Sequence, residues 1–528
     1  MVLKILAAVL AVLPIASASP APSVPLNDLL SNPASFGFGS LSAGVKAQVE
    51  KLSGLDNCQC AVSTSAKCSL LSILVPAKVS ISTSPNYQGI PYWSVQQSEV
   101  TPACRIDVTR AEDISTTVKV SKLTQCPFAV KSGGHAAFAG GSSIQNGILI
   151  NLAKLNEVTL SNDRKTTRVG PGNNWYDVYQ VLDPLGVSVV GGREAGVGTG
   201  GLTLGGGISY FAGRFGWACD NVRNYEVILA DGRIVNASPN SYPDLYWALR
   251  GGSGVNFGLV SRFDLATFEQ GLLWAGTRVY DISRNASLAE TFSKFVADAP
   301  TDDFAHLYIA FGYVAQLGGF VGASGPAYGK PVADAPIFAD LNKIPSLADA
   351  TGFNNMSALS VALNQTTFAR QTFKTVTVKD DPALLKSIIK IFTEEASTVL
   401  DVPGLVPFFA FQPLSTNIIN KMSRNGGNAL GLSVADGPLT IMNLNWGWTN
   451  AADDTRVFDA INRFTSRSFD LAKTMGLDND FIYMNYASQD QDVYAGYGKA
   501  NVDRLRAVQN KYDPQGVFKK LQPGYFKL

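Results

Sequence analysis

The chain holds only two histidines, and one of them sits in Lys131-Ser132-Gly133-Gly134-His135-Ala136-Ala137, where almost no side-chain bulk surrounds the imidazole. An imidazole nitrogen is nucleophilic enough to bond an electrophilic carbon, and small neighbours let a flat ring system approach it. The second stretch with chemical potential is GGREAGVGTGGLTLGGGISYFAGRFG, residues 191–216, in which eleven of 26 residues are glycine. Such density costs backbone entropy. It is tolerated where backbone N–H groups must come close to a ligand, and a diphosphate is the natural guest of N–H groups turned into a concavity. Two other readings stay open for this stretch: glycines that serve only tight turns, and a nicotinamide-dinucleotide unit. Gly196 to Gly201 satisfy G-x-G-x-x-G with Asp220 downstream for a ribose, although glycines continue at Gly205, Gly206 and Gly207, where that unit's crossover helix would begin.

The other histidine opens His306-Leu307-Tyr308-Ile309-Ala310-Phe311. Strand alternation aims His306, Tyr308 and Ala310 one way and the aliphatic residues the other, so His306 and Tyr308 face a pocket if the aliphatic face meets helices. The competing reading is a structural histidine. No serine has glycine at both the −2 and +2 positions, so the hydrolase nucleophile elbow is absent. Two imidazoles make no histidine metal cluster, and the one-residue spacing of Cys58 and Cys60 is poor for zinc. No metal is expected.

These residues need a large scaffold, and 528 residues at 46% hydrophobic provide one. Lys and Arg total 43 against 42 Asp and Glu, with no long run of either sign, which removes the electrostatic footprint of a nucleic-acid or anionic-membrane binder. A small molecule is the expected partner. Residues 1–18 read as a secretory signal, with an apolar run from Ile5 to Ile15 and Ala16-Ser17-Ala18 before the cleavage point. Secretion suits the sequons at Asn236, Asn285, Asn355 and Asn364, and one to three disulfides among Cys58, Cys60, Cys68, Cys104, Cys126 and Cys219.

Residues 19–95 are rich in Ser, Pro and Gly, with a helical patch near Leu41 to Leu52, and form a segment that packs on the main body. Residues 96–270 carry short β-like runs: Phe128 to Val130, Ile148 to Leu152, Val187 to Val190 and Glu226 to Leu229. Residues 271–480 carry longer strands, His306 to Val314 and Leu439 to Trp446, with two helices. One starts at Asp381-Pro382 and repeats apolar residues at 385, 388, 389 and 392; the other sets Val457, Ala460, Ile461, Phe464, Leu471 and Met475 on one face and stops at Gly476. The class is α+β: a sheet with helices behind it and its other face free to cover something.

Stretch by stretch, the chain resembles secreted flavoproteins of the vanillyl-alcohol-oxidase/PCMH type, berberine-bridge-enzyme-like branch, including the solanapyrone-synthase-like oxidases. The matching segments are PACRIDVTRAEDIS (102–115), FAVKSGGHAAFAGGSSIQNGILINLAKLNEVTL (128–160), VGPGNNWYDVYQVL (169–182), the glycine tract, CDNVRNYEVILADGRIV (219–235), DLYWALRGGSGVNFGLVSRFDL (244–265), YMNYASQD (483–490) and NVDRLRAVQNKYDPQGVF (501–518). The resemblance implies a PCMH-type FAD-binding domain over 96–270, a substrate domain over 271–480 and a return of 481–528 to the FAD domain. It implies FAD bonded through His135, and a cofactor cradle of Lys131, Ser132, Gly133, Gly134, Gly140, Val197, Gly198, Thr199, Gly200, Gly201, Gly205, Gly206, Gly207 and Asn485. Relatives that attach FAD twice use a cysteine where this chain has Glu194, so a single bond is expected. The alkaloid-closing relative has tyrosine where this chain has Ala137, so its pocket does not carry over.

Tyr486 is the first candidate for the base and Tyr483 the second; in a regular strand they face opposite ways. The activity implied is that of an oxidase: hydride passes from a secondary-metabolite alcohol or related group to FAD, and molecular oxygen reoxidises it to give peroxide. Cyclisation after oxidation occurs in some relatives. A wall of Phe408, Phe409, Phe411, Trp446 and Trp448 would suit a hydrophobic substrate. The alternatives are a carbohydrate oxidase and a secreted flavoprotein that binds without turnover.

Overall fold

His135 follows the carboxyl end of the strand Phe128–Lys131, the edge of a four-stranded sheet with spatial order Val79–Ile81, Cys104–Asp107, Ile148–Asn151, Phe128–Lys131. This is a computed structural model describing residues 26–36, 38, 41–50, 64–85, 87–363 and 370–528. The last three of those strands run parallel. Parallel strands need a crossover, and the helix Ala111–Thr124 supplies the one from Cys104–Asp107 to Phe128–Lys131, on the far side of Ile148–Asn151. Ligands of such sheets bind beyond the carboxyl ends of the strands, which is where residues 132–135 emerge.

The glycine tract leaves a second sheet. Its six antiparallel strands are organised on Leu259–Glu269, which pairs with Thr166–Val169, Val187–Val189 and Val222–Ile228. Residue 191 follows directly from Val187–Val189, so the tract is launched from one sheet toward the loop leaving the other. Beneath it lies a fully buried ion pair, Asp220 with Arg250 at 3.2 Å. The Asp220 carboxylate also accepts from the Trp217 backbone N–H and the Asn428 amide. Asp220 is thereby committed to the scaffold and has no role at a ribose.

The third sheet has ten strands, with Gly319–Tyr328, Ala305–Val314, Val406–Leu414, Leu439–Trp448 and Arg370–Lys379 adjacent in that order at its centre, all antiparallel. The helices expected behind it are present. Asp381 caps Pro382–Ser397 by accepting from the Ala383 and Leu384 N–H groups, and Leu385, Ile388, Ile389 and Phe392 are wholly buried. Asp454–Thr474 buries Val457, Ala460, Ile461 and Phe464. Each such Val, Leu, Ile or Phe side chain contributes about 1.5–3 kcal/mol of transfer free energy. Met475 departs from expectation: it falls just past the helix end and is 40% exposed.

Phe409, Phe411, Trp446 and Trp448 also depart from the expected pocket wall. They pack with those helices, because strand pairing sets Phe409 opposite Leu444 and Pro407 opposite Trp446 on the helix-facing side. Phe408, Ala410 and Asn443 take the other face and line a cavity. The α+β class and the helix-backed antiparallel sheet agree with the sequence reading.

Among the described residues one disulfide, Cys68–Cys104, ties the helix Thr64–Leu74 to the first parallel strand. The helical patch of the N-terminal segment is Ala43–Glu50. Asn236 is exposed, Asn285 is half-buried, and the Asn355 side chain caps the helix Met356–Ala362. The leader, Leu52, Cys58, Cys60 and Asn364 lie outside the described residues.

Candidate active site and cofactor cradle

The two glycine loops meet back to back. A Cβ added to Gly133 would lie 2.5 Å from the Gly198 nitrogen, and one added to Gly198 would lie 2.4 Å from the Gly133 nitrogen. Ser132 fastens the contact, donating to the Pro171 carbonyl and accepting from the Gly200 N–H. Together the loops wall a long cavity whose other residues include His135, Val197, Gly201 and Gly205, then Gln522 and Tyr525 from the C-terminal segment. Ser132, Gly133, Gly134, His135, Val197, Gly198, Gly200, Gly201, Gly205 and Asn485 of the expected cradle all reach this one space.

Five of the expected cradle residues stand behind it. Lys131 is buried with its ammonium 5.4 Å from the centre of the Tyr92 ring, and burial lowers its pKa. Thr199 spends its hydroxyl on the Gly170 carbonyl. Gly140 donates its N–H to Ser143. Gly206 and Gly207 take positive φ angles of 124° and 92°, a region open to glycine, and turn the tract toward Tyr483.

The C-terminal run is not a strand. Met484–Tyr486 forms a 3₁₀ turn, so strand alternation does not apply, and Tyr483, Asn485 and Tyr486 all reach the cavity. Their hydroxyls differ in employment. The Tyr483 oxygen accepts from the N–H groups of Gly207 and Ile208 and from the Asn485 amide, at 3.0, 3.3 and 2.9 Å; burial raises its pKa. It holds the glycine tract in place. The Tyr486 oxygen instead accepts from Arg193 Nη2 at 3.0 Å, while Arg193 Nη1 donates to Gln412 at 2.8 Å. Burial works against the Arg193 charge, but the oxygens of Tyr486, Tyr210 and Tyr308 around it raise its pKa, so it remains a cation.

Tyr308 lines the cavity beside Arg193; His306 does not. It shares Tyr308's strand face but stops at the Tyr210 ring, 5.4 Å away edge-on, with both ring nitrogens lacking a partner among the described residues. Burial first, and the Arg193 charge second, hold its pKa well below the ordinary imidazole value. An unfolded imidazole gains a proton below about pH 6.5 that folded His306 refuses, so the unfolded state binds more protons and stability falls as pH drops. Replacing it, as in His306→Leu, is expected to flatten this loss by up to about 1.4 kcal/mol per pH unit. Melting midpoints at pH 7 and pH 5 test this; equal drops in variant and parent would clear His306 of the effect.

Residues 102–238 match the family model of an FAD binding domain, and residues 482–523 match the berberine and berberine-like model. The FAD-dependent monooxygenase tpcD of Cochliobolus heterostrophus is 42% identical over 456 residues, covering 83% of this chain and 87% of the relative. This chain belongs to the FAD-linked, berberine-like oxidoreductases. A second family member, FAD-dependent monooxygenase drtC of Aspergillus calidoustus, is 34% identical over 447 residues, covering 83% of this chain and 84% of its own. The fold is shared with the carbohydrate oxidase of Microdochium nivale (TM-score 0.70, 22% identity, 84% of this chain and 96% of that one). It is shared too with BBE-like 1 of Physcomitrella patens (TM-score 0.71, 19% identity, 86% and 97%).

The cavity fits this family's cofactor. The Gly133–Gly198 contact leaves backbone rather than side chain against the ligand, as a diphosphate needs. Gln522 Oε1 and Asn443 Oδ1 in its wall are buried without a partner among the described residues, the condition of atoms awaiting a polar ligand. The contact can be tested directly. Gly198→Ala must force the two loops apart and is expected to yield protein with little flavin, whereas Gly271→Ala, outside the cavity and with nothing within 4 Å of its new methyl, should keep it. The ratio of flavin to protein absorbance decides; a fully loaded Gly198→Ala protein would mean the loops do not form the cradle.

Sequence reasoning missed Arg193, Gln412, Asn443 and Phe373. Only Arg193 carried a signal, being the first charged residue in the glycine-rich tract. The others depend on which face of which strand meets the cavity.

Proposed function

We propose that this enzyme is an exported oxidase. It takes hydride from a carbon bearing a hydroxyl on an apolar secondary metabolite, passes it to FAD bonded once through His135, and returns the electrons to dioxygen as hydrogen peroxide. The observation that carries the reading is the Arg193–Tyr486 hydrogen bond in the cavity wall. Bound FAD supplies the hydride acceptor. Tyr486, acting as its phenolate, receives the substrate hydroxyl proton as hydride leaves the neighbouring carbon. Arg193 is already aligned on the oxygen where negative charge must be carried, and Gln412 keeps its fork from turning away. Leu363, Phe373, Phe408 and Ala410 form an apolar wall that accepts the substrate's body and excludes water.

Two further features support the attachment and the destination. At position 194 a carboxylate, incapable of a thioether, faces His135 at 3.5 Å, which favours one bond over two. The leader sequence and the Cys68–Cys104 disulfide suit an oxidising exterior.

Several relatives bear the name monooxygenase, so the test must separate the two outcomes of oxygen use. Purified holoenzyme is incubated under ¹⁸O-labelled dioxygen with a panel of aromatic and polyketide alcohols. The oxidase reading expects one peroxide for each substrate oxidised and no label in the product. Label in the product would establish oxygen insertion and overturn it.

A further inference from the structure

Glu194 lies inside the glycine tract and lines the same cavity, with its carboxylate beside the imidazole. Its Oε1 lies 3.5 Å from His135 Nε2, with both side chains about six-sevenths buried, at 16% and 15% exposure. That nitrogen has no hydrogen-bond partner among the described residues. The imidazole cannot turn freely to find one. The Trp93 ring stacks on it at 4.3 Å with 16° between planes, and Trp93 is itself stacked on Phe373 at 5.0 Å. The backbone that carries the carboxylate is also held, because the Ala195 N–H is bound to the Ser360 carbonyl and the Ala195 carbonyl to the Tyr176 N–H.

We propose that Glu194 is a positioning residue for the bonding of FAD to His135. It keeps the imidazole proton on Nε2, leaves the Nδ1 lone pair as the nucleophile, and offsets the positive charge that grows on the ring as the new bond forms. A carboxylate behind one ring nitrogen fixes which nitrogen is free on the other side, and partial burial strengthens its effect over that of a surface pair.

The inference rests on the covalent reading above, and the step balances. One C–H bond of the flavin's ring methyl group breaks and an Nδ1–C bond forms. The methyl proton and the Nε2 proton leave, and the electron pair of the broken C–H bond remains on the ring system, reducing it by two electrons. Dioxygen then takes both electrons and two protons as hydrogen peroxide.

The test uses the full chain with FAD as the probe, comparing the parent with His135→Ala, Glu194→Gln, Glu194→Ala and Glu194→Asp. Each protein is scored for total flavin, for flavin that survives acid precipitation, and for the rate in air at which bound flavin becomes acid-stable. The bonded nitrogen is identified by NMR of the flavin peptide. Expected are a parent whose flavin is acid-stable, a His135→Ala protein that is yellow but loses all flavin to acid, and Glu194→Gln and Glu194→Ala proteins that bind FAD but bond it roughly 10- to 100-fold more slowly. Glu194→Asp should recover much of the rate, and Nδ1 should carry the bond.

Parent-like bonding rates in both Glu194→Gln and Glu194→Ala, or attachment through Nε2, would overturn the proposal. A loss of total flavin with an unchanged bonding rate per bound flavin would also overturn it, since that is the mark of a merely structural side chain. Parent flavin released by acid would instead remove the covalent reading itself, and the role of Glu194 with it.

Discussion

Phenylalanine in place of Tyr486 is expected to slow flavin reduction by about 10²–10⁴-fold, the usual worth of a positioned proton acceptor, while leaving the protein yellow. The ring contacts of Tyr486 with Phe373 and Tyr483, at 6.0 and 4.8 Å between centres, need no hydroxyl, so Tyr486→Phe should retain its fold and cofactor. Stopped-flow bleaching of the flavin by a confirmed substrate gives the number. The informative comparison is Tyr483→Phe. Removing that oxygen strands the N–H groups of Gly207 and Ile208, at about 1–3 kcal/mol for each buried donor left unmet. The loss there should fall on melting temperature and flavin retention first. If the two variants exchange these phenotypes, Tyr483 is the base and the assignment above is wrong.

Arg193→Met is expected to lower kcat by about 10²–10³-fold, the scale of deleting one preorganised donor on an oxygen that must carry charge, with a much smaller change in KM. Methionine fills most of the space between Tyr210 and Tyr308, whose rings lie 5.9 and 5.7 Å from the guanidinium carbon, but leaves the Tyr486 oxygen and Gln412 without their donor. Arg193→Lys separates charge from geometry. A lysine keeps the cation but cannot reproduce the fork that holds Gln412 and Tyr486 together, so an intermediate rate is expected. A lysine variant as slow as the methionine variant would show that aim matters more than charge; parent rates in both would remove Arg193 from the mechanism.

Local pattern carried the scaffold well. The helix Pro382–Ser397 was legible because its cap, its first-turn proline and its apolar spacing all sit within sixteen residues. The cofactor side of the site was legible for a similar reason: residues 132–135 and 197–205 are short, glycine-rich and contiguous, and resemblance gave them a guest. What failed was whatever depends on facing. Phe409 and Phe411 look as suitable for a pocket as Phe408 does, and only pairing with the next strand decides that Phe408 alone of the three reaches it. His306 and Tyr308 share a face, as alternation predicts, but the Tyr210 ring from another sheet's connection stops the first and not the second. Tyr483 and Tyr486 converge because their segment abandons the strand for a single 3₁₀ turn, a choice no alternation rule contains.

The wall of the cofactor cavity is assembled from Val130 at one extreme of the chain order and Tyr525 at the other, and this has a consequence for biosynthesis. A ribosome delivers the first glycine loop some four hundred residues before the tail that shuts the far side, and folding during synthesis proceeds from the amino end. FAD therefore meets an essentially finished polypeptide. Scarcity of the dinucleotide during production would leave full-length, folded, colourless enzyme rather than truncated debris.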